Sequence, residues 1–178
     1  MTRIWFTADL HLGHDSAWVR ESRPCFADAD AGVSAMMGNW NAAVSRGDLV
    51  YVLGDFCWWK DRSTIERTLA GLHGNKILIA GNHDWKAVRT AKGWASVHPL
   101  LTIRPRLRET AYRITLCHYP MRSWPASHHG SWHLHGHSHC QGEPYPGALD
   151  VGVEGHWYTP WSLQEVVDYF KGQEDFPG

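Results

Sequence analysis

A chain of 178 residues with 43% hydrophobic and 20% charged side chains has the composition of one soluble globular domain, residues 1–178, built round one substantial core. A formal net charge of −1 gives no global basic field, which argues against a large nucleic-acid surface. No apolar run approaches the roughly 20 residues of a membrane span, the N-terminus lacks the form of a signal peptide, and the four scattered cysteines make no C-x-x-C pair, so a cytoplasmic protein without a disulfide framework is expected.

Residues 3–8 open the chain as a strand. Val33, Met36, Met37, Trp40 and Val44 then recur at helical spacing and share one face. Residues 49–53 are the next strand. Ser63-x-x-Glu66 predicts a capping box opening a second helix, with Ile65, Leu69 and Leu72 inside and Gly74 ending it. Residues 76–80 form a short buried strand, and 96–103 and 111–117 two adjacent strands joined by a polar turn around 104–109. Strand-like pieces recur near 131–135 and 148–153. Ser162-x-x-Glu165 caps a last helix whose Leu163, Val166, Val167 and Phe170 point inward. Strand–helix alternation in front and mostly strands behind predict an α/β fold of two packed sheets with helices outside.

Thirteen histidines and eleven tryptophans are unusual counts. Histidine is a common metal ligand, and here it clusters where apolar runs end, at the strand–loop junctions where α/β folds place reactive groups. Five short segments follow such runs: Asp9-Leu10-His11, Gly54-Asp55, Gly81-Asn82-His83-Asp84, His118, and Gly136-His137-Ser138-His139. A spacing of two puts both members of Asp9/His11 and of His137/His139 on one side of an extended backbone, so each pair can chelate one ion or flank two.

Suppose one divalent ion sits among Asp9, His11, Asp55 and His139 and a second among Asp55, Asn82, His118 and His137. A carboxylate readily bridges two cations, which makes Asp55 the bridge. Two divalent ions less Asp9, Asp55 and a bridging hydroxide leave net positive charge, suited to an anionic phosphate. Mixed nitrogen and oxygen donors argue against calcium and for Mn, Fe, Zn, Ni or Co, with Mg weaker.

With these motifs in this order, the chain resembles the calcineurin-like metallophosphoesterases, whose pattern is D-x-H, G-D, G-N-H-[DE], H and G-H-x-H. The motifs span residues 9 to 139. The resemblance implies that Asp9, His11, Asp55, Asn82, His118, His137 and His139 are metal ligands and that the fold is a four-layer α/β/β/α sandwich of two mixed sheets flanked by helices. It also implies that His83 acts on the phosphate while Asp84 orients it. One feature departs from the family: many members carry a phosphate-clamping arginine soon after G-D, whereas Gly54-Asp55 is followed here by Phe56-Cys57-Trp58-Trp59. The run from Asp9 to His14, D-L-H-L-G-H, resembles the compact members without accessory domains.

Arg122, in the loop after His118, and His14, just past the first ligand pair, are the candidate substrate contacts. His128 and His129 are expected on an exposed loop, and His133 and His135 within a strand. Trp58, Trp59, Trp85 and Trp124 lie near motif loops, as core, rim or substrate wall. The expected reaction is hydrolysis of a small phosphate ester, a diester or monoester that includes nucleotides as candidates, by in-line attack of the bridging hydroxide with His83 assisting. The alternatives are a nuclease acting on DNA or RNA ends and a non-catalytic protein-binding scaffold; an intact ligand set weighs against the second.

Overall fold

A computed structural model describes residues 2–173. The chain runs β1 (Ile4–Thr7), α1 (Ala17–Ser22), α2 (Ala29–Ala43), β2 (Leu49–Val52), α3 (Arg62–Gly71), β3 (Asn75–Ile79), α4 (Lys86–Arg89) and β4 (Trp94–His98). It continues through β5 (Leu100–Ile103), β6 (Arg106–Leu107), β7 (Thr110–Ala111), β8 (Ile114–Cys117), β9 (Trp132–His135), β10 (Ala148–Asp150), β11 (Trp161–Ser162) and α5 (Leu163–Gln173). One sheet has the order β11-β1-β2-β3-β4, with β1 to β4 parallel and β11 antiparallel to β1. The other has the order β10-β9-β8-β5, with β5 alone antiparallel. Two mixed sheets flanked by helices are therefore the architecture.

Alternation along the strands divides the core. Trp5, Val50, Val52 and Leu78 pack with Met36 and Trp40 of α2 and Ile65 and Leu69 of α3. Their strand neighbours Phe6, Tyr51, Leu53 and Ile79 pack instead with Ile114, Leu116, Leu134 and Leu149 of the second sheet and with Leu163, Val166, Val167 and Phe170 of α5. The first sheet is thus buried on both faces, as parallel strands usually are. The outward face of the second sheet carries Thr115 and His133, paired across β8 and β9.

Three local expectations change. The stretch 96–103 is two strands in different sheets: Pro99, with no N–H to give to a ladder, separates β4 from β5, and the chain crosses between the sheets there. The turn expected at 104–109 holds a small ribbon, β6 paired with β7. The N-cap of α3 is Asp61 rather than Ser63; its carboxylate accepts the Thr64 N–H at 2.8 Å and the Ser63 hydroxyl at 2.8 Å. Glu66 accepts from Arg62 Nε at 2.8 Å and from the Lys92 N–H at 2.9 Å instead of closing a box. The box at α5 forms as expected, Glu165 accepting the Ser162 N–H at 2.7 Å and the Ser162 hydroxyl accepting the Glu165 N–H at 3.2 Å. Helix α1, with no long apolar stripe to announce it, starts at Ser16, whose hydroxyl accepts the Val19 N–H. Among the described residues no helix is long and apolar enough to cross a membrane.

His133 is fully buried; its Nδ1 lies 3.1 Å from the Thr115 carbonyl, and its Nε2 lies 3.2 Å from both the Met121 N–H and the Tyr119 carbonyl. Burial pushes its pKa from 6.5 down to about 4. The unfolded chain therefore binds the extra proton first as pH falls, so stability is lost from about pH 6.5 down to about pH 4, by about 3 kcal/mol in all. On metal-stripped samples, His133→Gln should melt below the wild type at pH 7.5, and thermal denaturation should show that gap narrowing towards pH 5. A gap that does not change with pH would show that His133 is not held neutral.

Candidate metal centre

The two sheets meet at their carboxyl ends. Past the end of β1 the Ala8 N–H donates to the Val151 carbonyl at 3.1 Å, and the Val153 N–H donates to the Ala8 carbonyl at 3.2 Å, joining β1 of one sheet to the end of β10 of the other. Pairing also outlasts the strands within each sheet: the Asp9 N–H reaches the Gly54 carbonyl at 3.1 Å, the His11 N–H the Asp55 carbonyl at 2.9 Å, and the Gly136 N–H the His118 carbonyl at 3.0 Å. The loops carrying the motif residues are thereby tied to the strand ends.

The motif glycines are needed for close approach. Gly54 has φ +87, and a Cβ there would collide with the His118 ring and the Gly81 backbone; a Cβ on Gly81 would strike the Asp55 carboxylate. Beyond the glycines, Asp9, His11, Asp55, His137 and His139 all have positive φ, from 45 to 71°. Left-handed backbone costs a non-glycine residue about 1–3 kcal/mol and persists where the surroundings over-determine it. Five of the seven expected ligands share it.

Asp9, His11 and His139 form one tight group of potential donor atoms and Asp9, Asp55 and His118 a second. One oxygen of Asp55, Oδ2, lies 3.5 Å from both His11 Nε2 and His118 Nε2. Asn82 Oδ1 is 2.9 Å from His118 Nε2. The exposed His137 ring stands 5.1 Å from that of His118 and belongs to neither tight group, although its N–H donates to both Asp9 oxygens, at 3.1 and 2.9 Å. His83 anchors its own N–H on Asp55 Oδ1 at 2.8 Å and sets its ring 5.5 Å from that of His11.

These residues suit a cation. Both ring nitrogens of buried His11 lack a hydrogen-bond partner, a cost that coordination removes. Burial, then the charges of His139, Arg23, His14 and His83, push its pKa down to about 2, so the imidazole is neutral and its lone pair free. Burial, then the carboxylates of Asp150, Asp55 and Glu154, raise the pKa of Asp9 well above the usual value, the signature of negative charge packed together without a counterion. His118 Nδ1 lies 2.8 Å from the Leu53 carbonyl; a carbonyl only accepts, so Nδ1 carries the hydrogen and Nε2 faces Asp55 and Asn82. Electron-pair donors converge there, an arrangement that needs a positive charge at its middle.

Asp84 does not orient His83. Its carboxylate accepts the N–H groups of Asp55 at 3.0 Å, Phe56 at 3.0 Å and Gly81 at 2.8 Å, tying the loops after β2 and β3 together beneath the centre, and no hydrogen bond joins it to the His83 ring among the described residues. His14 stacks on Trp58, rings parallel within 3° and 3.9 Å apart. Arg122 is exposed and lines a different cavity, with Trp124, Ser127 and Trp132.

Two groups, the buried Arg23 and the half-buried Glu154, had no motif to mark them. Glu154 Oε1 lies 3.2 Å from His139 Nδ1 and accepts from Arg23 at 2.6 and 2.9 Å; Arg23 also donates to the carbonyls of Asp9 at 2.7 Å and Leu10 at 2.8 Å. Burial opposes the charge on Glu154, but the hydrogen bond with His139 and the Arg23 guanidinium hold its pKa below the usual value. The signal that flags Asp55 and His118, polar residues just past a strand, applied to the strand expected at 148–153, points to Glu154.

The two aspartates separate brace from ligand. Asp84→Asn leaves at least one of three buried N–H groups facing an amide NH2 and should destabilise the fold by about 1–3 kcal/mol. Asp55→Asn should lower metal content at nearly unchanged melting temperature of the metal-free protein. Melting curves and elemental analysis on the same samples check this, and wild-type metal content in Asp55→Asn would remove Asp55 from the ligand set.

Known proteins match the chain over nearly its whole length. The chain is 28% identical over 175 residues to an uncharacterized protein of Methanocaldococcus jannaschii, covering 94% of this chain and 90% of that protein. It is 29% identical over 203 residues to the Gene 66 protein of Mycobacterium phage D29, covering 98% and 99%. A protein of unknown function from Aquifex aeolicus has a similar solved structure, with a TM-score of 0.72 and 22% identity over 95% of this chain and 100% of that one, a likeness of fold. The pattern of the calcineurin-like phosphoesterases matches residues 2–137, from β1 to the first histidine of the last motif, and the chain belongs to that family.

Proposed function

We propose that the chain hydrolyses esters of phosphoric acid on a small substrate, at a centre holding two divalent transition-metal ions. Family membership supports metal-dependent phosphoester hydrolysis in general. The observation that carries the finer reading is the position of Asp55 Oδ2, 3.5 Å from the Nε2 atoms of both His11 and His118, which belong to different donor groups, although Asp9 and not Asp55 is the residue common to both tight groups. Asp9, His11, Asp55 and His139 would hold one ion, and Asp55, Asn82, His118 and His137 the other. Once bound, such a pair of ions supplies a strong nucleophile from water at neutral pH and neutralises charge on the ester oxygens. Nitrogen-rich ligation favours Mn, Ni, Co, Zn or Fe over Ca, so chelation should abolish hydrolysis and manganese restore it where calcium does not.

The chain's own residues do the rest. The Arg23–Glu154 pair holds the hydrogen on His139 Nδ1, leaving Nε2 to coordinate. His83, fixed by its N–H on Asp55 and flanked by Trp58 at 4.9 Å, is the general acid that protonates the departing oxygen. His14, held flat on Trp58, contacts the substrate from the same side.

The role of His83 is read from the leaving group. Nitrophenolate departs readily as an anion, whereas a ribose or alkyl oxygen gains much from a positioned acid, about 10²–10⁴-fold. His83→Ala should therefore slow a nucleoside or alkyl ester far more than a nitrophenyl ester, with metal content unchanged. Equal slowing would mark His83 as a stabiliser of phosphate charge, and unchanged rates on both would remove it from the reaction.

A further inference from the structure

Six large apolar side chains are exposed among the described residues, and three of them, Trp18 at 46%, Trp85 at 40% and Tyr119 at 45%, stand at the rim of the metal centre. Trp18 meets the ring of His139 at 4.7 Å and 85°. Tyr119 meets those of His118 at 5.0 Å and 73° and of His137 at 4.9 Å and 65°. Trp18 has one such contact, which covers at most one face and leaves the other to a planar group; Tyr119 has two, and its 45% exposure is the ring surface left to a ligand. Trp85 is less available, with Trp58 against it at 5.9 Å and Lys60 Nζ 5.7 Å over its ring. Exposed aromatics concentrated on a polar site mark ligand contact.

The two free platforms attach to different donor groups: Trp18 to His139, which gathers with Asp9 and His11, and Tyr119 to His118, which gathers with Asp9 and Asp55. A phosphate over both groups has a separate aromatic surface on each side. A monoester has one organic arm and would use one surface; a diester has two.

We propose that the substrate is a phosphodiester joining two planar heterocycles, a dinucleotide in chemical class, with one base on Trp18 and the other on Tyr119. This rests on the phosphoesterase reading above. Hydrolysis consumes one water: the P–O bond to one nucleoside breaks, a P–O bond to the water oxygen forms, and the departing oxygen takes up a proton. A nucleoside and a nucleoside monophosphate leave. A net charge of −1 gives no global basic field for a longer polyanion, so recognition comes from stacking, which accepts any base and is worth about 5- to 150-fold in affinity for each.

The test uses the manganese-loaded full chain. A dinucleotide should exceed the methyl ester of a nucleoside monophosphate in kcat/KM by at least about fivefold, since it adds one stacked base. Trp18→Ala and Tyr119→Ala should each raise KM for the dinucleotide at least about fivefold more than KM for methyl p-nitrophenyl phosphate, with metal content unchanged, and Tyr119→Phe should restore it. Equal kcat/KM for dinucleotide and methyl ester, or a KM that keeps falling from dinucleotide to hexanucleotide, would overturn the proposal. Hydrolysis of methyl p-nitrophenyl phosphate reads the phosphoesterase function separately. If that ester survives, quenching of tryptophan fluorescence by the dinucleotide, lost in Trp18→Ala, still upholds the stacking site, and no saturable quenching refutes it.

Discussion

The structure depends on a charge imbalance at the joint edge of the two sheets. Asp9 and Asp55 are buried side by side, with Asp150 and Glu154 near enough to push the Asp9 proton affinity up, while His11 between them is neutral and has neither ring nitrogen bonded. Arg23, the guanidinium packed beside them, is spent on Glu154 and on the backbone carbonyls of Asp9 and Leu10 rather than on the two aspartates. Buried charge of one sign and unpaired polar groups are each unfavourable, and a cation held among the donors would answer both. The centre therefore reads as the half of an ionic assembly that the polypeptide can provide.

Holding such a half-assembly together requires a scaffold stiff enough to resist it. The fold achieves this by carrying backbone pairing past the ends of the strands, by joining the sheets through Ala8 and the 151–153 segment, and by the three-way clasp of Asp84 on the N–H groups of Asp55, Phe56 and Gly81. The left-handed backbone at five expected ligand positions follows from the same geometry. An extended chain sends alternate side chains to opposite faces, and a positive φ breaks that alternation so that neighbouring loops can aim at one point.

What was legible in the sequence was what chemistry restricts to a few residue types. Donor side chains come from a few residue types, here His, Asp and Asn, so Asp9, His11, Asp55, Asn82 and His118 announce themselves at strand ends and are found converging there. Core strands were legible from their apolar runs, and the α5 cap from a box that forms in full. Less legible was anything fixed by tertiary contact. The strand expected at 96–103 belongs to two sheets because of one proline, and Asp61 outcompetes Ser63 as the cap of α3 because its carboxylate can take the Thr64 N–H and two hydroxyls together. Asp84 follows His83 directly, which invites a pairing of their side chains, yet the loop turns its carboxylate down into the backbone. Arg23 reaches Glu154 across 131 positions, a separation at which no local pattern can speak.

The missing arginine after Gly54-Asp55 is answered by these particulars. The segment that would carry it is bound by the Leu12 N–H to the Phe56 carbonyl at 3.1 Å and by the Trp58 N–H to the Leu12 carbonyl at 2.9 Å, and it delivers Trp58 to the mouth of the site. Trp58 lies flat on His14 and close to His83, and Trp59 occupies the space that a side chain at Gly13 would need. A cationic clamp in that place would bind the phosphate group of any ester alike. An aromatic wall contributes nothing to bare phosphate and can act only on an organic group that the phosphate carries.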